Sequence, residues 1–422
     1  MKSVKKIIGV LMILSTVLVM FASCKGSNKN YKSYIKENLI IWGDPTYNQS
    51  MYEAVKEFNK SYPNVTVKFV KKKSSEVIKD FGKIKDQKEF PNIICLDDNR
   101  LREFTFKYYR DVLNLNDKFN SYMDKFLKYK KNIVNINNNI LAVPYSVKPV
   151  ALYYRKDVFE KYNINPLDIK TWNDFINVGK TILNKSDNKT KMLYVNSDED
   201  MFKILLNEKE SSYFNKEGML SINDINSKKS MEIIKNMYNF KIIQTGGYFD
   251  FNKNQNVATV IGDISVADYI KKSKEKNNNW GVMRLPAFEN GGKNSATLGG
   301  TSLVIIDSED SKNDNDLSVK LAKYITLNKK NLKTSFEKYG VFPSYTPVYD
   351  CSNFSKSIEA FDNLKLWKFF EKISKDIPIV NYTENFNQID KIVATFIKEV
   401  VNSNDIDVKL KHMKEIIEKV VN

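Results

Sequence analysis

The first hydrophobic block after the N-terminal region is Asn38–Trp42, "NLIIW", a short apolar run that stops at Gly43-Asp44-Pro45 and predicts a strand ending in a loop. Met51, Val55, Phe58 and Tyr62 then share one helical stripe within Tyr47–Tyr62, and Pro63 closes it. Val65–Val70 alternates as a strand, Glu76–Lys85 is helical in pattern, and Asn92–Leu96 is a buried strand closed by Asp97-Asp98-Asn99. A helical pattern resumes from Arg100 to Tyr109. This alternation predicts an α/β fold with a parallel sheet and helices on both faces. Ligands in such sheets gather beyond the carboxyl ends of the strands, which places Trp42, Asp44, Asp97 and Asp98 at that rim.

Two short strands around Asn137-Asn138-Asn139 lead into Leu141–Tyr154, a run whose single charge is Lys148. A second α/β region follows. It has Thr171 as the N-cap of a helix, a helix over Ser227–Phe240, the strand and turn "VATVIGD", and a strand over Trp280–Leu285 bounded by Pro286. Leu298–Ile306 is a further strand, Leu317–Leu327 an amphipathic helix, and Phe361–Val421 mostly helical.

The start of the chain changes the picture. Lys2, Lys5 and Lys6 precede an apolar run ending at Phe21, too short to span a bilayer and followed by small residues. Residues 1–23 read as a signal peptide, with an uncleaved anchor helix as the alternative. Phe21-Ala22-Ser23-Cys24 resembles the lipobox of bacterial lipoproteins, which implies lipidation at Cys24. Residues 24–36 offer no apolar face and read as a polar tether. About 400 residues remain, enough for two or three domains. With Cys24 lipidated, Cys95 and Cys351 are left; a buried thiol suits Cys95 better than a disulfide.

The net charge is +17, or +14 without the three signal lysines. Nearly all of it is Lys, spread among Asn and Glu, with Arg only at positions 100, 102, 110, 155 and 284. Phosphate and base recognition favours Arg, so a solvated surface is read in preference to a nucleic-acid site. His412 is the single histidine, in a Lys-rich helix, so neither a Ser-His-Asp triad nor an HExxH zinc site is supported. No P-loop or GxGxxG fingerprint occurs, and no cofactor or metal is called for.

Several blocks together resemble the extracellular solute-binding proteins of ABC importers, in the sugar-binding branch that includes maltose-binding protein. They are "IIWGD", "AVKEFNKSYPNVTVKFV", "FPNIICLDDNRLREF", "PYSVKPVALYYRKDVFEKYNI", "KTWNDF", "WGVMRLPAF", "TLGGTSLVI" and "YGVFPSYTPVYD". The likeness implies two α/β lobes (the type II form of that fold) around a ligand cleft, with a hinge crossed more than once. Lobe 1 would take 37–143 and 286–335, and lobe 2 144–285 and 336–422. Pro144–Tyr154 would be the first crossing, Leu285–Phe288 the return and Ser335–Tyr339 the third. A crossing dehydrated on closure tolerates charge poorly.

The resemblance further implies ligand contacts at Trp42, Asp44, Asp97, Asp98, Tyr145, Tyr154, Asp263, Gly299, Gly300 and Thr301. Burial in the core is the alternative for Trp42, and for Asp97 or Asp98 it is capping of the helix near Arg100. Trp172, Trp280 and Tyr153 read as core residues. Ile264 stands where the family usually has a stacking Trp, and Arg155 where it has Asn. The implied partners are a sugar or oligosaccharide, permease subunits with their ATPase, and the membrane through the lipid; nucleic acid is not among them, and a monomer is expected. A surface glycoside hydrolase and a lipoprotein that binds an anionic polymer are the competing classes.

Overall fold

A computed structural model describes residues 37–83, 90–215, 217–247, 249, 256–272, 280–307 and 312–421. The expected signal peptide, tether and lipidation site at Cys24 lie outside the described residues, as does the end of the helix expected over Glu76–Lys85.

The first half builds one sheet. Strand β1 (Glu37–Gly43) pairs in parallel with β2 (Val65–Lys71) and β3 (Ile93–Asp97). Helix α1 (Pro45–Ser61) begins where β1 ends: Asp44 accepts from the Thr46 amide at 3.1 Å and Pro45 occupies the first turn, where its missing N–H costs nothing. Helices α2 (Ser74–Phe81) and α3 (Asp98–Lys107) follow β2 and β3. The sheet is completed by β4 (Val143–Pro149) and a strand from late in the chain, in the order β2, β1, β3, that late strand, β4. A short helix over Lys128–Val134 precedes β4.

The second sheet comes from the middle of the chain. It contains β5 (Ala151–Arg155), β6 (Lys191–Val195), β7 (Ile243–Thr245), β8 (Val257–Gly262) and β9 (Trp280–Met283), in the order β9, β5, β8, β6, β7. Thr171 caps the helix Trp172–Lys185 through a capping box with Asp174. Trp172 and Tyr153 are buried, as expected, and so is Trp280. The late strand of the first sheet is β10 (Thr297–Ile305), antiparallel to β3 and β4. The tail helices Phe386–Asn402 and Ile406–Val421 pack on the second lobe against Asp198–Glu208 and Ile225–Asn239. Two α/β lobes therefore stand as expected. Cys95 is buried, Cys351 is half-buried, and both are free thiols.

The lobe boundaries fall later than the sequence places them. β4 stays paired with β10 from Val143 to Pro149, so the second lobe begins near Ala151 and not at Pro144. Ala287 is still bridged to Thr171 in the second lobe, so the return crossing lies near Thr297 and not at 286. Helix Lys329–Tyr339 packs on α1, and Pro343 bridges Ser146, so the third segment remains with the first lobe beyond 335. A low-charge run marks the hinge region, but the residue at which pairing changes sheets depends on partners far away in the chain.

Candidate functional site

Two cavities that share lining residues lie between the lobes. The outer one, about 620 Å³, has Asp44, Tyr47 and Ser74 on the first lobe and Asp263, Ile264 and Ser265 on the second. Val147 and Phe342 contribute at the hinge. The inner one, about 190 Å³, is walled by Gly299 and Gly300 of β10 and by Asp200, Lys203, Asn207, Tyr213, Tyr382 and Phe386 of the second lobe. Asp97, Asn99 and Lys148 line both.

Asp97 ends β3 at the junction, half-buried, with its backbone amide held by Ser74 Oγ at 2.9 Å. Burial pushes its carboxyl above the usual carboxylate range, while Lys148 opposes the shift. Asp44 and Asp263 reach the outer cavity while serving as local caps; Asp263 accepts the Ser265 amide at 2.8 Å. Each carboxylate keeps acceptor capacity beyond its backbone bond.

Four candidates are placed elsewhere, and a fifth, Asp98, reaches the inner cavity from the interior. Trp42 is 1% exposed in the first-lobe core, with the Lys72 ammonium 5.3 Å from its ring centroid. Asp98 is also interior: it pairs with Lys130, both side chains being 0% exposed, and accepts from Tyr129 Oη at 3.0 Å. It touches the inner cavity only from this buried position. Tyr145 shares a 2.7 Å hydrogen bond with Ser50 Oγ and donates to Ser335 Oγ at 3.4 Å, tying β4 to two helices. Thr301 shares a 2.7 Å hydrogen bond with Ser146 Oγ across β10 and β4. Tyr154 packs over Gly281 and Phe159, on the second sheet. Trp42, Tyr145, Tyr154 and Thr301 line neither cavity and make structural contacts instead, while Asp98 does both. Trp42, Asp98, Tyr145 and Thr301 are buried beneath elements from distant sequence, whereas Tyr154 is half-buried on the second sheet.

Gly299 and Gly300 do face the inner cavity, for different reasons. Gly299 has φ +94°, a backbone conformation that side chains disfavour. A Cβ on Gly300 would stand 2.2 Å from the Ser146 carbonyl oxygen, so strand packing demands that glycine.

The second-lobe wall was missed from the sequence. Tyr213 stacks on Phe386 with centroids 4.9 Å apart, and Tyr382 meets Phe386 edge-on at 4.6 Å. Lys203 bridges Asp200 at 3.1 Å and Asp390 at 3.2 Å; burial works against its charge, but the two carboxylates outweigh that and its pKa is raised. Asn207 is 3% exposed; its Oδ1 accepts the Thr297 amide at 2.8 Å, and its Nδ2 has no partner among the described residues. Only Lys148 had a signal, as the single charge in a quiet run. The cleft thus offers carboxylate acceptors, ammonium and amide donors, and aromatic faces, a set suited to a hydroxyl-rich ligand. Among the described residues there is no group of three or more His, Cys, Asp or Glu that could hold a metal ion, and no helix is long and apolar enough to cross a membrane.

Two α/β lobes that share a polar and aromatic cleft at a strand hinge define a two-lobed binding protein. The comparison of sequences makes the assignment specific. Residues 53–363 match the family described as bacterial extracellular solute-binding protein, and the chain belongs to that family. It is 28% identical over 317 residues to the arabinooligosaccharide-binding protein of Bacillus subtilis (strain 168), covering 70% of each chain. It is 23% identical over 401 residues to the lactose-binding protein of Rhizobium radiobacter, covering 89% of this chain and 91% of that one. In fold it resembles the sugar-binding protein MalE from Xanthomonas citri, with a TM-score of 0.76 at 15% identity, over 91% of this chain and 97% of that one. The GacH receptor of Streptomyces glaucescens gives a TM-score of 0.72 at 18% identity, covering 92% and 99%.

Proposed function

We propose that this protein captures an oligosaccharide outside the cell by closing its two lobes and delivers it to the permease of an ABC importer. The observation that carries this reading is the junction of Asp97, Asn99 and Lys148, shared by two cavities whose walls come from both lobes. A ligand there gains contacts only available when the lobes approach. Moving a closure equilibrium from 1:99 to 99:1 takes about 5.5 kcal/mol of differential affinity. One hydrogen bond to a charged group contributes about 1.5–3 kcal/mol, so several contacts drawn from both lobes suffice.

In this reading the protein is a binder and not an enzyme, acts as a monomer, and is held at the outer face of the membrane through lipid on Cys24. The names of its relatives, both sugar-binding proteins, support the ligand class, and the lipobox supports the anchor. A thermal-shift screen over mono- and oligosaccharides tests it, since a ligand at 100 times its Kd adds about 2.7 kcal/mol of stability. A protein that no sugar stabilises, or that steadily releases reducing ends, would sink the proposal. Lipid labelling that persists in Cys24→Ala would remove the anchor alone.

A further inference from the structure

The base of the first lobe carries a group of side chains that the cleft does not use. β1, β2 and β3 are parallel and turn their carboxyl ends to the cleft, so α2 and α3, which follow β2 and β3, run back to the opposite end. Tyr108 joins the two helices there: its Oη donates to the Ile78 carbonyl at 2.8 Å, and its ring lies 4.8 Å from that of Phe81. Phe106 is 74% exposed and Tyr109 49%, with Lys107 and Arg110 exposed between and beside them. Lys79 and Lys83 are exposed at the end of α2. Helix macrodipoles account for cations at two helix C-termini, but not for two exposed aromatic rings among them. Acids are fewer at this corner. Asp80 is paired with Lys72, which leaves Asp111 and its backbone neighbour Asp307 against four cations.

The fold also begins at this base. Ile40 of β1 exchanges hydrogen bonds with Asn92, which accepts from the Ile306 amide at 3.0 Å. Asp307, the next residue, donates its amide to the Asp111 carbonyl at 2.9 Å. Glu37, three positions before Ile40, therefore stands at the same end of the lobe as Tyr109 and Arg110. The thirteen residues from Cys24 to Lys36 span at most ~45 Å when fully extended. A lipid on Cys24 keeps this end of the lobe near the bilayer, at an effective concentration on the order of millimolar.

We propose that this basal corner docks on an anionic bilayer surface, with Phe106 and Tyr109 at headgroup level and the four cations on lipid phosphates. The cleft, at the opposite strand ends, is then turned away from the membrane. The inference rests on the lipid anchor at Cys24 proposed above and adds what the anchored lobe touches. Aromatic rings set among basic residues suit the interface between water and lipid. Each basic residue near an anionic surface is worth about fivefold in affinity, so a small corner suffices once the tether holds it close.

The test uses the full chain, purified from membranes and reconstituted into phosphatidylcholine vesicles with or without phosphatidylglycerol. Phe106→Trp supplies the reporter. Trp42, Trp172, Trp280 and Trp367 are all buried, so lipids with brominated chains read the indole at 106 alone. With phosphatidylglycerol present its emission should fall by about half, because interfacial rings sit within reach of the chains. The quenching should vanish at ~0.5 M salt, where the Debye length is about 4 Å. It should vanish also when Lys107→Glu and Arg110→Glu are added, since losing two cations is worth roughly twentyfold or more. Ile225→Trp, at a position 61% exposed on the second lobe, should stay unquenched. An indole at 106 that is unquenched, quenched equally without phosphatidylglycerol, or quenched no more than the one at 225 overturns the docked face. Intact mass separates this from the anchor. A chain without lipid overturns the anchor and the docking with it, whereas a lipidated chain with an unquenched indole at 106 overturns the docking alone.

Discussion

Asp98 is where the structure and the family resemblance disagree most sharply, and a substitution separates them. Its carboxylate and the Lys130 ammonium are both fully buried. Lys130 also donates to the Thr301 carbonyl at 2.9 Å and to Ser302 Oγ at 3.1 Å, while Asp98 accepts from Tyr129 at 3.0 Å and Ser302 at 3.1 Å. Asp98→Ala leaves the ammonium in the first-lobe interior with neutral acceptors only. Breaking a buried pair in this way costs about 3–5 kcal/mol, a large share of the 5–15 kcal/mol typical of a folded protein. Replacing both partners with apolar groups of similar size is often close to neutral, so Asp98→Leu with Lys130→Met should recover most of the loss.

A pH series adds a sign. Burial already lowers the Lys130 pKa, and Asp98 is the main group holding it up. Without Asp98 the folded pKa drops further below the unfolded value. The unfolded state then binds more protons, so stability rises with pH. The deficit of Asp98→Ala should shrink as pH climbs from 7 toward the ordinary lysine range. Urea denaturation of the three proteins, read by both fluorescence and circular dichroism, measures this. An Asp98→Ala protein as stable as the parent, with sugar affinity lowered tenfold, would refute the structural assignment and restore Asp98 as a ligand acceptor.

Glu208 is 2% exposed, with Oε2 accepting from Trp172 Nε1 at 2.8 Å and Oε1 lacking a partner among the described residues. Burial raises its pKa well above the usual value, so its contribution is present below the unfolded pKa and is lost as pH rises through the folded one. The parent should lose about 1.4 kcal/mol per pH unit across that window, and Glu208→Gln should flatten that part of the stability profile. Gly300→Ala should fail to yield folded first lobe, because its Cβ would lie 2.2 Å from a backbone oxygen; a normal melt would show the β10–β4 approach to be looser. Asn387 on the second lobe donates to the Asn99 carbonyl at 2.7 Å and to Glu103 at 3.0 Å on the first. Asn387→Ala should favour the open form by roughly tenfold or more, given about 1 kcal/mol for the neutral bond and about 1.5–3 for the charged one. Small-angle scattering with an unchanged radius, free and sugar-bound, would count against that.

Much of this protein is written in local pattern. The break at Gly43-Asp44-Pro45 ends a strand and starts a helix because Asp44 caps and Pro45 fits the first turn, both short-range effects. Thr171 and Asp174 signal their capping box from three residues apart. The strand and helix periods suffice for two α/β lobes, and the lone charge of Lys148 stands out before any coordinates. Tertiary structure alone decided which side chains meet the cleft. Asp97 and Asp98 are sequence neighbours, yet Lys130, 32 positions on, takes Asp98 into the core while Asp97 stays at the junction of the cavities. Tyr145 is withdrawn from the cleft by Ser50 and Ser335, 95 and 190 residues away. Phe386 reaches the inner cavity because its helix docks on the second lobe, which nothing near it in sequence encodes. Alternation fixes that neighbouring side chains diverge, but which face becomes buried depends on the element that covers it, and that element comes from elsewhere in the chain.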